Sequence, residues 1–149
     1  MKKYLYPAGS IRGKTYEEAN EWRKILQELL WHKMILLNPL RGKEELKGQV
    51  ITLELMEAST NPLIQPKGVV RRDLWDIRRC DAMIVNLLDA EEVFQGTIFE
   101  MGFAHALLKP IVVMMEDDNI HYHPFVTETA SFVVPTLEEA VDILSHLFE

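Results

Sequence analysis

The segment Gly96-Thr97-Ile98-Phe99-Glu100-Met101-Gly102-Phe103-Ala104-His105-Ala106 sets one carboxylate, Glu100, among small and apolar neighbours. Apolar runs flank it, Ala82-Met83-Ile84-Val85-Asn86-Leu87-Leu88 on one side and Lys109-Pro110-Ile111-Val112-Val113-Met114-Met115 on the other. This pattern predicts strand, turn, helix and strand, the arrangement of an α/β active site, with Glu100 in the first turn or so of the helix. There the helix dipole favours ionisation, while burial beside Phe99, Met101 and Phe103 opposes it. An ionised, poorly hydrated carboxylate suits nucleophilic attack on a sugar carbon, and Gly96 and Gly102 permit close approach of substrate and backbone. A carboxylate capping a helix start fits the same spacing, so spacing alone leaves both readings open.

Such a group needs a framework, and the rest of the chain supplies its pieces. Lys3-Tyr4-Leu5-Tyr6 is β-prone and is halted by Pro7-Ala8-Gly9-Ser10-Ile11-Arg12-Gly13, which predicts a strand and a tight loop. A helix follows from about Thr15, which pairs with Glu18 as a capping box, and it runs to about Trp31. Its apolar positions Ala19, Trp22, Ile25, Leu26, Leu29 and Leu30 recur at helical spacing. Met34-Ile35-Leu36-Leu37 reads as a buried strand of a parallel sheet. From Arg41 to Pro66 the periodicity fades, and this stretch is expected to be an excursion over the sheet edge. Val69 to Arg79 predicts a short helix with Asp73 and Asp76 on its polar positions. After the second βαβ unit come an irregular piece from Asn119 to Thr129, a short strand at Ser131-Phe132-Val133-Val134, and a helix carrying Ala140, Val141, Ile143, Leu144 and Leu147.

These elements predict a three-layer α/β sandwich, flavodoxin-like or Rossmann-like, with a five-stranded, mainly parallel sheet, formed by residues 1–149 as one domain. Loops after parallel strands gather at one side of the sheet. Gly9, Ser10 and Arg12, the stretch from Asp89 through Glu92 to Gly96, and Glu116 to Pro124 are therefore expected to converge.

Composition narrows the function classes. The chain of 149 residues carries a net charge of −7, and no Lys or Arg lies beyond Lys109. An acidic protein without a basic stripe is a poor partner for nucleic acid, and the acidic C-terminal part reads as a solvated helix face. The single cysteine, Cys80, excludes an internal disulfide and reads as a small buried hydrophobe. No stretch approaches a membrane span and the N-terminus lacks the apolar segment of a signal peptide, so a cytoplasmic protein with no membrane partner is expected.

The combination of Tyr6-Pro7-Ala8-Gly9-Ser10-Ile11-Arg12-Gly13, Asp73-Leu74 ahead of a strand, and Gly96-Thr97-Ile98-Phe99-Glu100-Met101-Gly102-Phe103-Ala104 followed by Lys109-Pro110 resembles the nucleoside 2-deoxyribosyltransferase family. The similarity covers most of the chain; Glu44 to Pro66 matches no pattern. It implies a flavodoxin-like fold assembled as homodimers or larger homo-oligomers, each site completed by a neighbouring subunit. By position, Glu100 resembles the nucleophile that attacks the anomeric carbon of a 2-deoxyribonucleoside and holds the sugar as an ester. Asp73 resembles the carboxyl that helps protonate the departing base, and Tyr6 the tyrosine that orients the nucleophile. Leaving-group protonation and a carboxylate beneath an oxocarbenium-like centre are what retaining glycosyl transfer needs. The implied partners are a small nucleoside or nucleotide and a free nucleobase, with no metal or organic cofactor.

Gly96 and Thr97, opening the same segment, are expected at the substrate, and Asp89 and Glu92 resemble acidic residues that contact sugar or base. His123 stands where relatives often carry an asparagine that reaches the adjacent subunit's site. The resemblance covers two chemistries: transfer of the deoxyribosyl group to a second base, or hydrolysis of nucleoside 5′-monophosphates. Gly9-Ser10-Ile11-Arg12-Gly13 is similar to the phosphate loop of the hydrolases, with Arg12 placed to pair with an anion. Phe94 stands where those hydrolases offer a small hydroxyl side chain, which favours nucleoside transfer. A non-catalytic nucleotide-binding module would lack one of Tyr6, Asp73 or Glu100, and all three are present. His121 and His123 lack a third ligand for a metal; His105 reads as a helix-face residue, Trp22 as core and Trp75 as the candidate for a pocket wall.

Overall fold

The computed structural model describes residues Met1–Glu149. Five strands, β1 (Lys3–Gly9), β2 (Met34–Leu36), β3 (Ala82–Asn86), β4 (Ile111–Met114) and β5 (Phe132–Val134), form one sheet in the order β2-β1-β3-β4-β5. All four pairings are parallel, so the sheet is wholly rather than mainly parallel. Parallel neighbours need crossover connections, which here are helical: α1 (Tyr16–Leu30), α2 (Leu53–Ala58), α3 (Pro66–Arg79), α4 (Gln95–Ala106), α5 (Pro124–Thr127) and α6 (Leu137–His146).

The period of two along each strand divides the core into two layers. Tyr6, Met83, Val85, Ile111 and Val113 face one way and pack with Ile77 of α3, Met101 and Ala104 of α4 and Val126 of α5. Leu5, Ile84, Val112 and Met114 face the other way against Leu26 and Leu30 of α1 and Ala140 and Leu144 of α6. The result is a three-layer sandwich. No helix is long and apolar enough to cross a membrane.

Local signals explain where the helices begin. Thr15 Oγ1 accepts from the Glu18 N–H at 3.1 Å, Thr136 Oγ1 accepts from the Glu139 N–H at 3.2 Å, and Pro66 opens α3 where a missing N–H costs nothing. Pro66 also starts that helix three residues ahead of the expected Val69. The buried stripe of α1 differs from the expected one: Asn20 and Arg23 are buried, whereas Ile25 and Leu29 are each 43% exposed. On α3, Asp76 is fully buried rather than solvated, because Arg41 and Arg79 contact its two carboxylate oxygens at 2.6 and 2.9 Å. The stretch expected to be irregular after Asn119 contains the short helix α5.

The region from Arg41 to Pro66, which follows the edge strand β2, is more ordered than its faded periodicity suggests. A 3-10 turn at Glu44–Leu46, an isolated bridge between Thr15 and Val50, and α2 fold it back onto the start of α1. Leu46, Ile51 and Ile64 form a third small core with Tyr16, Ala19 and Leu40. This core stands beside the loops that follow β1 and β2.

Candidate active site

Tyr6 lies on β1, pointing into the α3–α4 layer, and its side chain is 1% exposed. Its hydroxyl donates a hydrogen bond to Glu100 Oε2. Glu100 is the sixth residue of α4, one turn deeper than expected, so it caps no orphan N–H of that helix and the dipole at the helix start acts on it weakly. Asp73 projects from α3, and its buried Oδ1 has no partner within the protein.

Two buried cations accompany these groups. Arg23 of α1 is fully buried. Its Nε donates to the Pro7 carbonyl at 3.1 Å and its Nη2 to the Gly9 carbonyl at 3.2 Å, and Nη1 donates to Ala19 O, so it binds the end of β1 to α1. Lys43, in the loop after β2, is 4% exposed.

Burial and mutual repulsion set the titration of the acids. Burial raises the Glu100 carboxyl above the usual range and the Asp73 charge adds to the rise, against the Tyr6 hydrogen bond and the charges of Arg23 and Lys43. Burial raises Asp73 likewise, opposed first by Lys43 and then by Arg72. Both carboxyls are therefore held above the ordinary carboxylate range. Burial, followed by the charges of Glu100 and Asp73, lifts Tyr6 well above its ordinary value, so its hydroxyl remains a donor. Burial depresses the Lys43 ammonium to about 8.

These groups border a cavity of about 660 Å³ at the carboxyl ends of the strands. Gly9, Ser10, Arg12, Asp73, Glu92, Gly96, Thr97 and Glu100 all lie on its wall, and Tyr6 stands directly behind Glu100. Arg12 is exposed, and Thr97 is buried. Asp89 is outside the wall: it is exposed with φ +58°, and its N–H donates to Glu116 Oε2 at 2.9 Å. His123 is also outside it, capping α5 through Nδ1, which accepts from the Phe125 N–H at 3.2 Å, with its ring stacked on Phe125. Trp75, expected on the pocket wall, is 60% exposed and contributes nothing to it. Leu46, Ile51, Met56 and Ile64 of the unassigned middle region form the apolar side instead. No three His, Cys, Asp or Glu side chains converge as a metal-ligand set.

Three site residues escaped the sequence reading. Arg23 stands four residues after Ala19 and three before Leu26, so a cation on the core-facing stripe was the available signal. Lys43 sits in an aperiodic loop that gave none. His121 is buried, and its Nε2 accepts from the Phe94 N–H at 2.9 Å while Nδ1 lies 2.9 Å from Asn119 Oδ1. It thereby fixes the residue that precedes α4.

A family profile described as nucleoside 2-deoxyribosyltransferase matches residues 5–139. A solved 2-deoxyribosyltransferase from Bacillus psychrosaccharolyticus superposes with a TM-score of 0.66 at 16% identity, covering 93% of this chain and 90% of that one. A 2-desoxiribosyltransferase from Leishmania mexicana gives a TM-score of 0.63 at 19% identity, over 97% and 98% of the two chains. A CMP N-glycosidase from Clostridium botulinum gives 0.55 at 19%, over 99% and 100%. These likenesses establish the shared fold. No curated protein matches the sequence significantly.

Proposed function

The chain belongs to the nucleoside 2-deoxyribosyltransferase family, and from that premise we propose that it cleaves the N-glycosidic bond of 2′-deoxyribonucleosides and passes the sugar to another nucleobase. The observation that carries this reading is the buried Tyr6–Glu100 hydrogen bond beside Asp73, facing one cavity.

Glu100, ionised and oriented by the Tyr6 hydroxyl, attacks the anomeric carbon as the bond to the base breaks, forming a sugar ester. The electron pair of that bond leaves on the base nitrogen, and Asp73 supplies the proton it takes up. Burial raises Asp73, which favours its protonated form, while the Tyr6 hydrogen bond and the charges of Arg23 and Lys43 favour the ionised form of Glu100. A second base then displaces Glu100 from the anomeric carbon and returns a proton to Asp73, restoring both groups. Two displacements retain the configuration.

Assembly as a homodimer or larger homo-oligomer belongs to the same reading. Phe99 is 64% exposed at the cavity wall, and Phe125 on α5 is 79% exposed with His123 stacked on it, apolar side chains that a second copy could cover. A specific observation favours a second reading, hydrolysis of 5′-monophosphates: Arg12 stands exposed on the cavity wall beside Ser10, free of any ion pair with the protein, where a phosphate would meet it.

Glu100→Ala is expected to abolish base release and the sugar adduct detectable by mass spectrometry. Full activity in that variant would refute the assignment. Incubating deoxynucleosides and deoxynucleotides with and without an acceptor base separates the two readings, since transfer yields a new nucleoside and hydrolysis yields free sugar or sugar phosphate.

A further inference from the structure

Strands β1 and β2 part before β1 ends. Leu5 pairs with Leu36, and the Leu37 N–H donates to the Leu5 carbonyl at 2.8 Å. Strand carbonyls point to the same edge at every second residue, so those of Pro7 and Gly9 face the side that β2 leaves. The next donor of this ladder would come from residue 39, but Pro39 has no N–H, and the Arg41 N–H donates to the Asn38 carbonyl at 3.1 Å. Buried and unpaired, the two carbonyls of β1 would carry the cost of lost hydrogen bonds.

Two polar residues on the buried stripe of α1 fill this split. Asn20 Oδ1 accepts from Asn38 Nδ2 at 2.8 Å and so holds the chain as it leaves β2. Arg23 stands in for the missing strand: its Nε and Nη2 donate to the Pro7 and Gly9 carbonyls at 3.1 and 3.2 Å, and its Nη1 to Ala19 O of its own helix. The fit is close, since a Cβ added at Gly9 would lie 3.1 Å from the Trp22 ring and 3.5 Å from Arg23 Nη2. Burial lowers the guanidinium to about 10, against the pull of Tyr6, Glu100 and Asp73, so it stays charged at neutral pH.

The stretch of β1 that Arg23 caps is the one that serves the site. Tyr6, whose hydroxyl donates to Glu100, directly precedes Pro7, and Gly9 lines the cavity. With β3 along one edge of β1 and Arg23 along the other, the Tyr6 ring has a fixed base from which to meet Glu100. Glu100 is faced by Tyr6 of β1, Asp73 of α3, Arg23 of α1 and Lys43 of the loop after β2. A displacement of about 1 Å in a reacting group costs up to about 100-fold in rate.

We propose that Arg23 is a positioning residue for base release: by capping the edge carbonyls of Pro7 and Gly9 it fixes the end of β1, and through it the Tyr6 hydroxyl on Glu100. Arg23 belongs to the scaffold and acts on the reaction through Tyr6. The inference rests on the N-glycosidic cleavage proposed above.

The test is a double-mutant cycle of Arg23→Lys and Tyr6→Phe, read as kcat, KM and the pH profile of base release. The substrate is whichever of 2′-deoxyuridine, 2′-deoxyadenosine and their 5′-monophosphates wild type cleaves fastest. Lysine keeps the cation and loses the planar fork that spans two carbonyls. Arg23→Lys is expected to lower kcat by about 10- to 100-fold, to change KM by less than about threefold, and to move the acidic limb to higher pH, as loss of the Tyr6 hydrogen bond would. In the Tyr6→Phe background the same substitution should cost less than about threefold, because the contact it supports is already gone. Equal losses in both backgrounds, an unchanged kcat in the single variant, or an unmoved limb each overturn the inference alone. Arg23→Gln enters the cycle if the lysine variant lacks a cooperative urea transition, and failure of both to fold overturns the inference by giving the clamp to stability alone. A wild type that cleaves none of the four compounds refutes the cleavage reading itself, and this inference with it.

Discussion

Removing one oxygen, in Tyr6→Phe, tests the centre of the proposed site. The Tyr6 ring packs among Ile77, Met83, Val85 and Met101, and Phe preserves that packing, so the variant should fold. What disappears is the hydrogen bond to Glu100 Oε2. A hydrogen bond to a charged group is worth about 1.5–3 kcal/mol. The bond favours the ionised carboxylate, so its loss should raise the apparent pKa of the acid pair by roughly one to two units, at about 1.36 kcal/mol per unit. The sign is fixed by chemistry: a nucleophile must be ionised, and a higher pKa leaves less of it ionised at a given pH. The acidic limb of the kcat/KM profile should therefore move to higher pH, with activity at pH 7 lower by about 10- to 100-fold. The assay is base release followed across pH 5 to 9 for both proteins. A limb that stays in place or moves to lower pH would refute the claim that Tyr6 tunes Glu100. Because the limb belongs to the coupled pair, the comparison between proteins carries the information rather than either absolute position.

Two further outcomes follow from the supports of the site. Gly68 lies in α3 ahead of Asp73, where an added Cβ would stand 1.7 Å from the carbonyl oxygen of Pro62, which is backbone and cannot yield cheaply. Gly68→Ala should thus destabilise the chain by about 1–3 kcal/mol in urea titration despite the better helix propensity of alanine, and a variant as stable as wild type would contradict that contact. His121 is buried, and burial lowers its pKa. In the neutral form Nε2 accepts the Phe94 N–H, and protonation would set two donors against each other. Its stabilising contribution is therefore complete above the unfolded value near 6.5 and is lost as pH falls below it. Asp73 and Glu100, with raised values, act in the opposite sense, so the measurement is the difference in Tm between wild type and His121→Gln from pH 8 to 5. That difference should shrink on acidification, and a constant difference would exclude the switch.

The parts of the fold legible in the sequence are those where one period governs a whole element. Ala82 to Val85 and Ile111 to Met115 are continuous apolar runs because those parallel strands are covered on both faces, while the edge run Met34 to Leu37 keeps the pattern with Ile35 42% exposed. The segment from Glu44 to Pro66 obeys no period, since Leu46, Ile51 and Ile64 reach their common core from a 3-10 turn, a bridge strand and a loop. Glu100 was legible because it is a lone carboxylate in an apolar helix. The charges that support it were not, for a physical reason: sequence rules send Asp73, Asp76, Arg23 and Lys43 to solvent, and the partners that offset burial, Arg41 and Arg79 for Asp76 and three backbone carbonyls for Arg23, come from the tertiary fold. Neutralisation between residues far apart in the chain leaves no local pattern. The same balance accounts for the unequal engagement of the cations. Arg41 and Arg79 satisfy Asp76, and Arg23 ties β1 to α1 through backbone carbonyls, so these three serve the scaffold. Asp73, which shares the cavity wall with Glu100 and Lys43, keeps one buried carboxylate oxygen without a partner, and substrate chemistry is what such capacity can be used for.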